Sequence, residues 1–149
     1  MLLPDPKFND RLVTRFVNNL MLDGKKSVAF KVFYDALDIV EQRKQDEEKT
    51  ALELWKEGLS NVMPHVEVRS RRVGGATFQI PMPIRADRKI SMAIKWMILY
   101  ARKRNEKSMS QRLAGEILAS VKEEGAAVKK RVDVHKMADA NKAFSHFRF

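Results

Sequence analysis

Apolar side chains recur along most of this chain at the spacing of a helix that buries one side. Phe8, Leu12, Phe16 and Leu20 lie four apart, with Val13, Val17 and Met21 beside them, and the stripe stops at Asp23-Gly24. A second stripe, Val28, Ala29, Val32, Phe33, Ala36, Leu37 and Val40, predicts a helix from Lys25 to about Arg43. The polar run from Gln42 to Lys49 has no apolar period and ends it. Thr50 and Glu53 have the spacing of a capping box, in which hydroxyl and carboxylate satisfy free amides at a helix start. Leu52, Trp55, Leu59, Val62 and Met63 form the buried side of that third helix, and Pro64 closes it.

The period then changes to alternation. Val66, Val68 and Ser70 fall on one side and Glu67, Arg69 and Arg71 on the other, followed by Gly74-Gly75 and Thr77 to Pro81. A glycine pair takes the positive φ angles of a tight turn, so residues from about 65 to 84 read as a β-hairpin. Pro81 and Pro83 lack amide donors, which predicts an edge strand and a hairpin with few neighbours, projecting from the helices. Helical spacing returns with Ile90, Ile94, Met97, Ile98 and Ala101, then Leu113, Ile117, Leu118 and Val121, then Val128, Val132 and Met137 through Phe144. The expected fold is mainly α: a single domain over residues 1–149, with six helices and a protruding two-stranded hairpin between the third and fourth.

Composition changes this picture mainly through charge. The 149 residues carry 29 Lys and Arg against 19 Asp and Glu, net +10, which points to a polyanionic partner. Between residues 65 and 112 there are 12 basic and 3 acidic residues, net +9, so the excess is concentrated in the middle third. A charge serving only solubility would be interspersed with the opposite sign. With no cysteine there is no disulfide framework, cysteine nucleophile or thiolate metal site. The longest apolar run, Trp96 to Ala101, is far short of the roughly 20 residues that cross a bilayer. Nor does the opening Met1-Leu2-Leu3-Pro4-Asp5 have the form of a secretory signal, so a soluble, unexported, cytoplasmic protein without a membrane partner is expected.

Candidate chemistry is sparse. His65, His135 and His146 are far apart and none has a histidine four residues away, so a local zinc motif is absent. Gly74-Gly75 lacks the lysine and hydroxyl of a phosphate loop, and strands rather than a helix flank it. Glu47-Glu48 and Glu123-Glu124 read as solvated helix-end charges rather than acid and base catalysts. Trp55 and Trp96 read as core, while Phe78 sits on a hairpin with one obvious packing side. No metal, cofactor or catalytic residue is expected. What remains is a basic constellation: Arg69, Arg71 and Arg72 on the first strand, Arg85, Arg88, Lys89 and Lys95 entering the fourth helix, and Arg102, Lys103 and Arg104 leaving it. Arginine grips phosphate bidentately and stacks on bases, and an arginine-edged arm can follow a groove or fill an RNA junction. Arginines that only shield a hairpin edge from aggregation would give a similar pattern.

Four segments resemble the bacterial form of the small-subunit ribosomal protein seven family, in order and over residues 3–149. They are Pro4-Asp5-Pro6-Lys7-Phe8, Met21-Leu22-Asp23-Gly24-Lys25-Lys26, Arg71-Arg72-Val73-Gly74-Gly75-Ala76-Thr77-Phe78-Gln79-Ile80-Pro81, and the stretch from His135 to Phe149. Members usually begin with a short basic arm before the first segment. Here Met1 and Leu2 alone precede Leu3-Pro4-Asp5-Pro6, and contacts from such an arm are left out of the expected site.

The resemblance implies a structural constituent of the small ribosomal subunit, not an enzyme. Such a protein binds the 3′ major domain of 16S rRNA as a primary binder, nucleates assembly of the subunit head, and contacts neighbouring proteins nine and eleven. Carried over by position, the implied rRNA contacts are Lys7, Arg11, Lys25 and Lys26 together with the ten hairpin and fourth-helix basic residues named above. Val73, Gly74, Gly75, Ala76, Thr77 and Phe78 at the hairpin tip, with the C-terminal helix, would lie near exit-site tRNA and mRNA. Two rivals come from other classes. A winged-helix DNA-binding regulator also pairs helices with a basic hairpin, but there the hairpin closes the domain. An RNA-modifying enzyme would need a nucleophile, metal cluster or cofactor loop that the residues do not supply.

Overall fold

The computed structural model describes residues 2–147; Met1, and Arg148 and Phe149 of the C-terminal motif, lie outside the described residues. Its elements in chain order are α1 (Arg11–Leu20), α2 (Lys26–Arg43), α3 (Ala51–Val62), β1 (Val66–Val73), β2 (Ala76–Pro83), α4 (Ala86–Arg102), α5 (Met109–Val121), α6 (Gly125–Ala140) and a short 3-10 helix (Lys142–Phe147). Six α-helices with a hairpin between the third and fourth is the expected architecture.

Side chains that satisfy free amides decide where several helices begin. Thr50 and Glu53 form the expected capping box of α3, and Ser108 with Gln111 forms another at α5. Each such cap is worth about 1 kcal/mol. At α1 the helix starts later than the apolar stripe, because Asp10 caps it by accepting the Leu12 amide at 2.8 Å. Phe8 therefore precedes the helix, in a turn organised by the buried Asp5 carboxylate. That carboxylate accepts the amides of Lys7, Phe8 and Asp10 at 2.8–3.1 Å and the Tyr34 hydroxyl at 2.9 Å. Burial and then the Asp5 bond push the Tyr34 phenol up to about 12. The Pro-Asp-Pro motif is thus a knot that pins the N-terminal turn to α2.

The core forms where the helical stripes meet. Trp55 lies at its centre with ring centroids 5.3 Å from Phe16 and 5.0 Å from Phe33, both edge to face, and all three are fully buried. Aromatic pairs in this geometry add about 0.5–1.5 kcal/mol beyond their area burial. α5 is the central helix, packed on α2, α3, α4 and α6. Gly58 allows its approach to α3: a Cβ there would sit 3.3 Å from the Ser120 Cβ and 3.4 Å from the Ile117 carbonyl oxygen. Trp96 is half-buried against this core, at its margin.

The last stripe needs correction. Val128 is buried and Val132 half-buried, but Met137 is 53% exposed and α6 stops at Ala140. Asn141 ends it by turning its backbone and side-chain N–H groups onto the Met137 carbonyl, at 3.2 and 2.8 Å. Phe144 consequently belongs to the 3-10 helix, which packs on β2.

Candidate nucleic-acid interface

The hairpin is built by its turn. Gly74 and Gly75 have φ of +59° and +84°, the successive positive angles of a type I′ turn, and set Val73 opposite Ala76. In the register that follows, hydrogen-bonded and non-bonded pairs alternate. Pro81 opposite Val68 and Pro83 opposite Val66 both fall on non-bonded pairs, where no amide is needed by β1. The two prolines therefore fit the sheet without loss.

The same register sorts the arginines. Arg69 and Arg71 are opposite Ile80 and Phe78 on one face, and Arg72 is opposite Thr77 on the other, so the arm carries guanidinium groups on both faces. From Gly74 to Thr77 the tip is exposed, as is Arg72, and Val73 is half-buried. The base is less isolated than the two prolines suggested. α6 packs on β1, the 3-10 helix packs on β2, and Ile80 is fully buried. Phe78 packs on Phe144 with the rings tilted by 44° and centroids 5.0 Å apart, so it braces the arm against the C-terminal segment.

Outside the arm, the predicted basic residues divide into two groups. Arg11, Lys25, Lys26, Arg85 and Lys95 are exposed, and Lys89 is half-buried in the first turn of α4. The others have an internal partner as well. Arg88 grips Glu67 with two parallel bonds of 3.0 and 3.1 Å, which ties the first turn of α4 to β1 and aims the hairpin. Arg102 donates to the Leu20 carbonyl at 3.2 Å, Lys103 lies 5.4 Å over the Tyr100 ring, and Lys7 lies over Phe8 and Tyr34. Arg104 reaches inward: it donates to Glu106 at 3.0 Å and to the fully buried Glu116 at 3.2 Å. Lys7 and Arg11 sit near α1 and Lys25 and Lys26 at the α1–α2 turn, apart from the hairpin in sequence and element.

Two histidines far apart in sequence meet at the hairpin base. The His65 amide donates to His135 Nε2 at 3.0 Å, and the rings are 6.0 Å apart. Only an imidazole with that nitrogen unprotonated can accept. Burial first, then the nearby Arg131 and His65, hold His135 below its ordinary 6.5, against a weaker opposite pull from Asp139. The folded protein therefore binds fewer protons here than the unfolded chain. Stability contributed by this contact is complete above pH 6.5 and is lost as pH falls through the lower folded value. The unfolding midpoint of the protein is expected to fall more steeply between pH 7 and 5.5 than that of His135→Gln, because only the former gains a proton at this contact. Parallel curves would show that the contact does not titrate. Among the described residues, no group of three or more His, Asp or Glu is placed to hold a metal ion, and no helix is long and apolar enough to cross a membrane.

A rigid helical body holding out an arm with arginine on both faces, with more cations at its root, defines a basic nucleic-acid-binding protein. A model of the family described as ribosomal protein S7p/S5e matches residues 1–142. The chain belongs to that family, as the four segments had suggested. It is 81% identical over 148 residues to the small ribosomal subunit protein uS7 of Flavobacterium johnsoniae, covering 99% of this chain and 94% of that protein. Similarity extends to the uS7 proteins of Cytophaga hutchinsonii, 62% identical over 148 residues, and Bacteroides fragilis, 57% identical over 149, with 94% of each covered.

Proposed function

We propose that this chain is a structural, non-enzymatic constituent of the small ribosomal subunit in the cytoplasm. It binds the 3′ major domain of 16S rRNA as a primary binder and nucleates assembly of the head. The whole chain acts as one RNA-binding domain, with the hairpin as an inserted arm whose tip lies near exit-site tRNA and mRNA, and proteins nine and eleven are its neighbours. The observation that carries this reading is the +9 block from residues 65 to 112, which the fold distributes over the hairpin, α4 at its root and the start of α5 in a member of this family. Phosphate contacts from these cations release counterions and set the register on the RNA, while the rigid body supplies the shape that selects a junction. Exposed Arg72, Arg85 and Lys95 and the cations at the α1–α2 turn are the side chains best placed for phosphate.

A salt titration of binding to a 3′ major domain fragment, with duplex DNA as competitor, tests the reading. The expected result is tight binding that resists DNA and weakens log-linearly with salt. Equal displacement by DNA would overturn it in favour of unselective electrostatics or a DNA-binding role.

A further inference from the structure

His65 lies in the short link between α3 and β1, and both of its backbone groups are committed. Its carbonyl accepts the Ile84 amide at 3.2 Å, which closes the open end of the hairpin, and its amide donates to His135 Nε2 on α6 at 3.0 Å. A side chain of α6 thus fixes the point where the arm leaves the helical body. That part of α6 is itself held, because Arg131, one turn before His135, donates to the Asn61 carbonyl in α3 at 2.8 Å.

Imidazole is the side chain whose ordinary titration lies between about pH 5 and 8. The charged and titratable groups that face the His135 ring are Arg131 and Asp139 on α6 and the His65 ring, 6.0 Å away, on the link to β1. When His135 is neutral, Nε2 accepts from the His65 amide. When it is protonated, Nε2 carries a hydrogen that opposes the His65 N–H, and the bond is lost with a donor on each side. Asp139, exposed and one turn further along the helix, then offers the imidazolium a carboxylate at the i, i+4 spacing. Each charge state has its own partner, so the contact has two positions.

We propose that His65 and His135 form a pH-sensitive latch on the hairpin: at neutral pH the His65 amide is seated on His135 and the arm is held against α6, whereas in acid the protonated His135 turns to Asp139 and the arm swings more widely. Burial first, then the neighbouring Arg131 and His65, hold His135 below its ordinary 6.5, so the latch is closed at neutral pH. Two further ties, Phe78 on Phe144 and Arg88 on Glu67, contain no imidazole and keep the arm attached when the latch opens. What changes is the range of motion of the arm, while the helical body stays folded. The device belongs to the free protein and stands apart from the RNA-binding reading.

Spin labels at Thr77→Cys on the exposed tip and Lys129→Cys on the exposed side of α6 read the distance that the latch controls, and the chain has no other cysteine to label. The expected result is one narrow distance distribution at about pH 7.5 that broadens at about pH 5, with the helical circular dichroism unchanged. His135→Gln, whose amide oxygen accepts without titrating, should stay narrow at both values. His135→Lys carries its charge throughout and should be broad at both. Asp139→Asn should broaden at a lower pH than the otherwise native sequence, since the imidazolium loses its carboxylate. A native latch that stays narrow in acid, or a His135→Gln protein that is as broad there, would overturn the proposal. Loss of helical signal at about pH 5 would overturn it too, because the arm would then loosen with the fold and not at the latch.

Discussion

Alanine at Arg69, Arg71 and Arg72 together is expected to weaken binding to the 3′ major domain fragment about a hundredfold at moderate salt, from roughly 1 kcal/mol per charge-assisted contact. The slope of log affinity against log salt should flatten by about 2 to 3, because each phosphate contact accounts for roughly 0.7–0.9 of it. The register explains why all three must be changed. Arg69 and Arg71 share the face of Phe78 and Ile80, while Arg72 points to the opposite face, so any single variant leaves the arm with guanidinium groups to reach phosphate. The fold should tolerate the change, since the turn depends on Gly74 and Gly75 and the base on buried Ile80. Titrations at several salt concentrations check both numbers. An unaltered slope would remove the hairpin from the phosphate-contacting surface and leave α4 and the α1–α2 turn to carry it.

The largest stability effect is expected at Glu116, a side chain with no predicted role in binding. Its carboxylate is fully buried and links three elements: Oε1 accepts from Arg104 at 3.2 Å, and Oε2 accepts the Ala127 amide at 3.1 Å in the first turn of α6. A negative group at a helix N-terminus is favourable, and here it also closes a free amide that would otherwise be buried. Glu116→Ala removes both acceptors, strands the Ala127 amide and leaves a cavity. Losing one partner of a buried pair costs about 3–5 kcal/mol, and the partial exposure of Arg104 brings the expectation to about 2–4 kcal/mol. For a chain of this size that is a fall of roughly 5–15 °C in the thermal midpoint. Glu116→Gln should cost less, because its amide oxygen can still accept from Ala127. Calorimetry on the three proteins decides it, and equal midpoints would show that the Arg104–Glu116–Ala127 link contributes nothing to the fold.

Glu116 also marks the limit of what was legible in the sequence. Arg104 stands in the run Arg102-Lys103-Arg104, and the charge pattern alone places it with the cations facing RNA. In the structure its guanidinium is committed to Glu106 and Glu116, so much of its charge is neutralised within the protein. Arg88 is similar: its spacing suggests a phosphate contact, and its fork onto Glu67 gives it a second task as the strut that aims the hairpin. Arg112, Leu22 and Val28 line one groove although they come from three separate elements. No signal within any one segment could have assembled them.

What the sequence determined by itself were features whose causes act over a few residues. The apolar stripes specified six helices, Thr50 with Glu53 set the start of α3, and Gly74-Gly75 set the turn and hence the register of the hairpin. Charge added the position of the basic block, and the order of four motifs added the family. Tertiary structure alone decided the partners brought together across long separations: Phe78 with Phe144, His65 with His135, and Glu116 with the first turn of α6. The reason is physical. Helical and strand spacing and turn geometry are local properties of the backbone, whereas ion pairs, ring contacts and grooves depend on how finished elements pack, and packing brings together residues that carry no trace of one another in the chain.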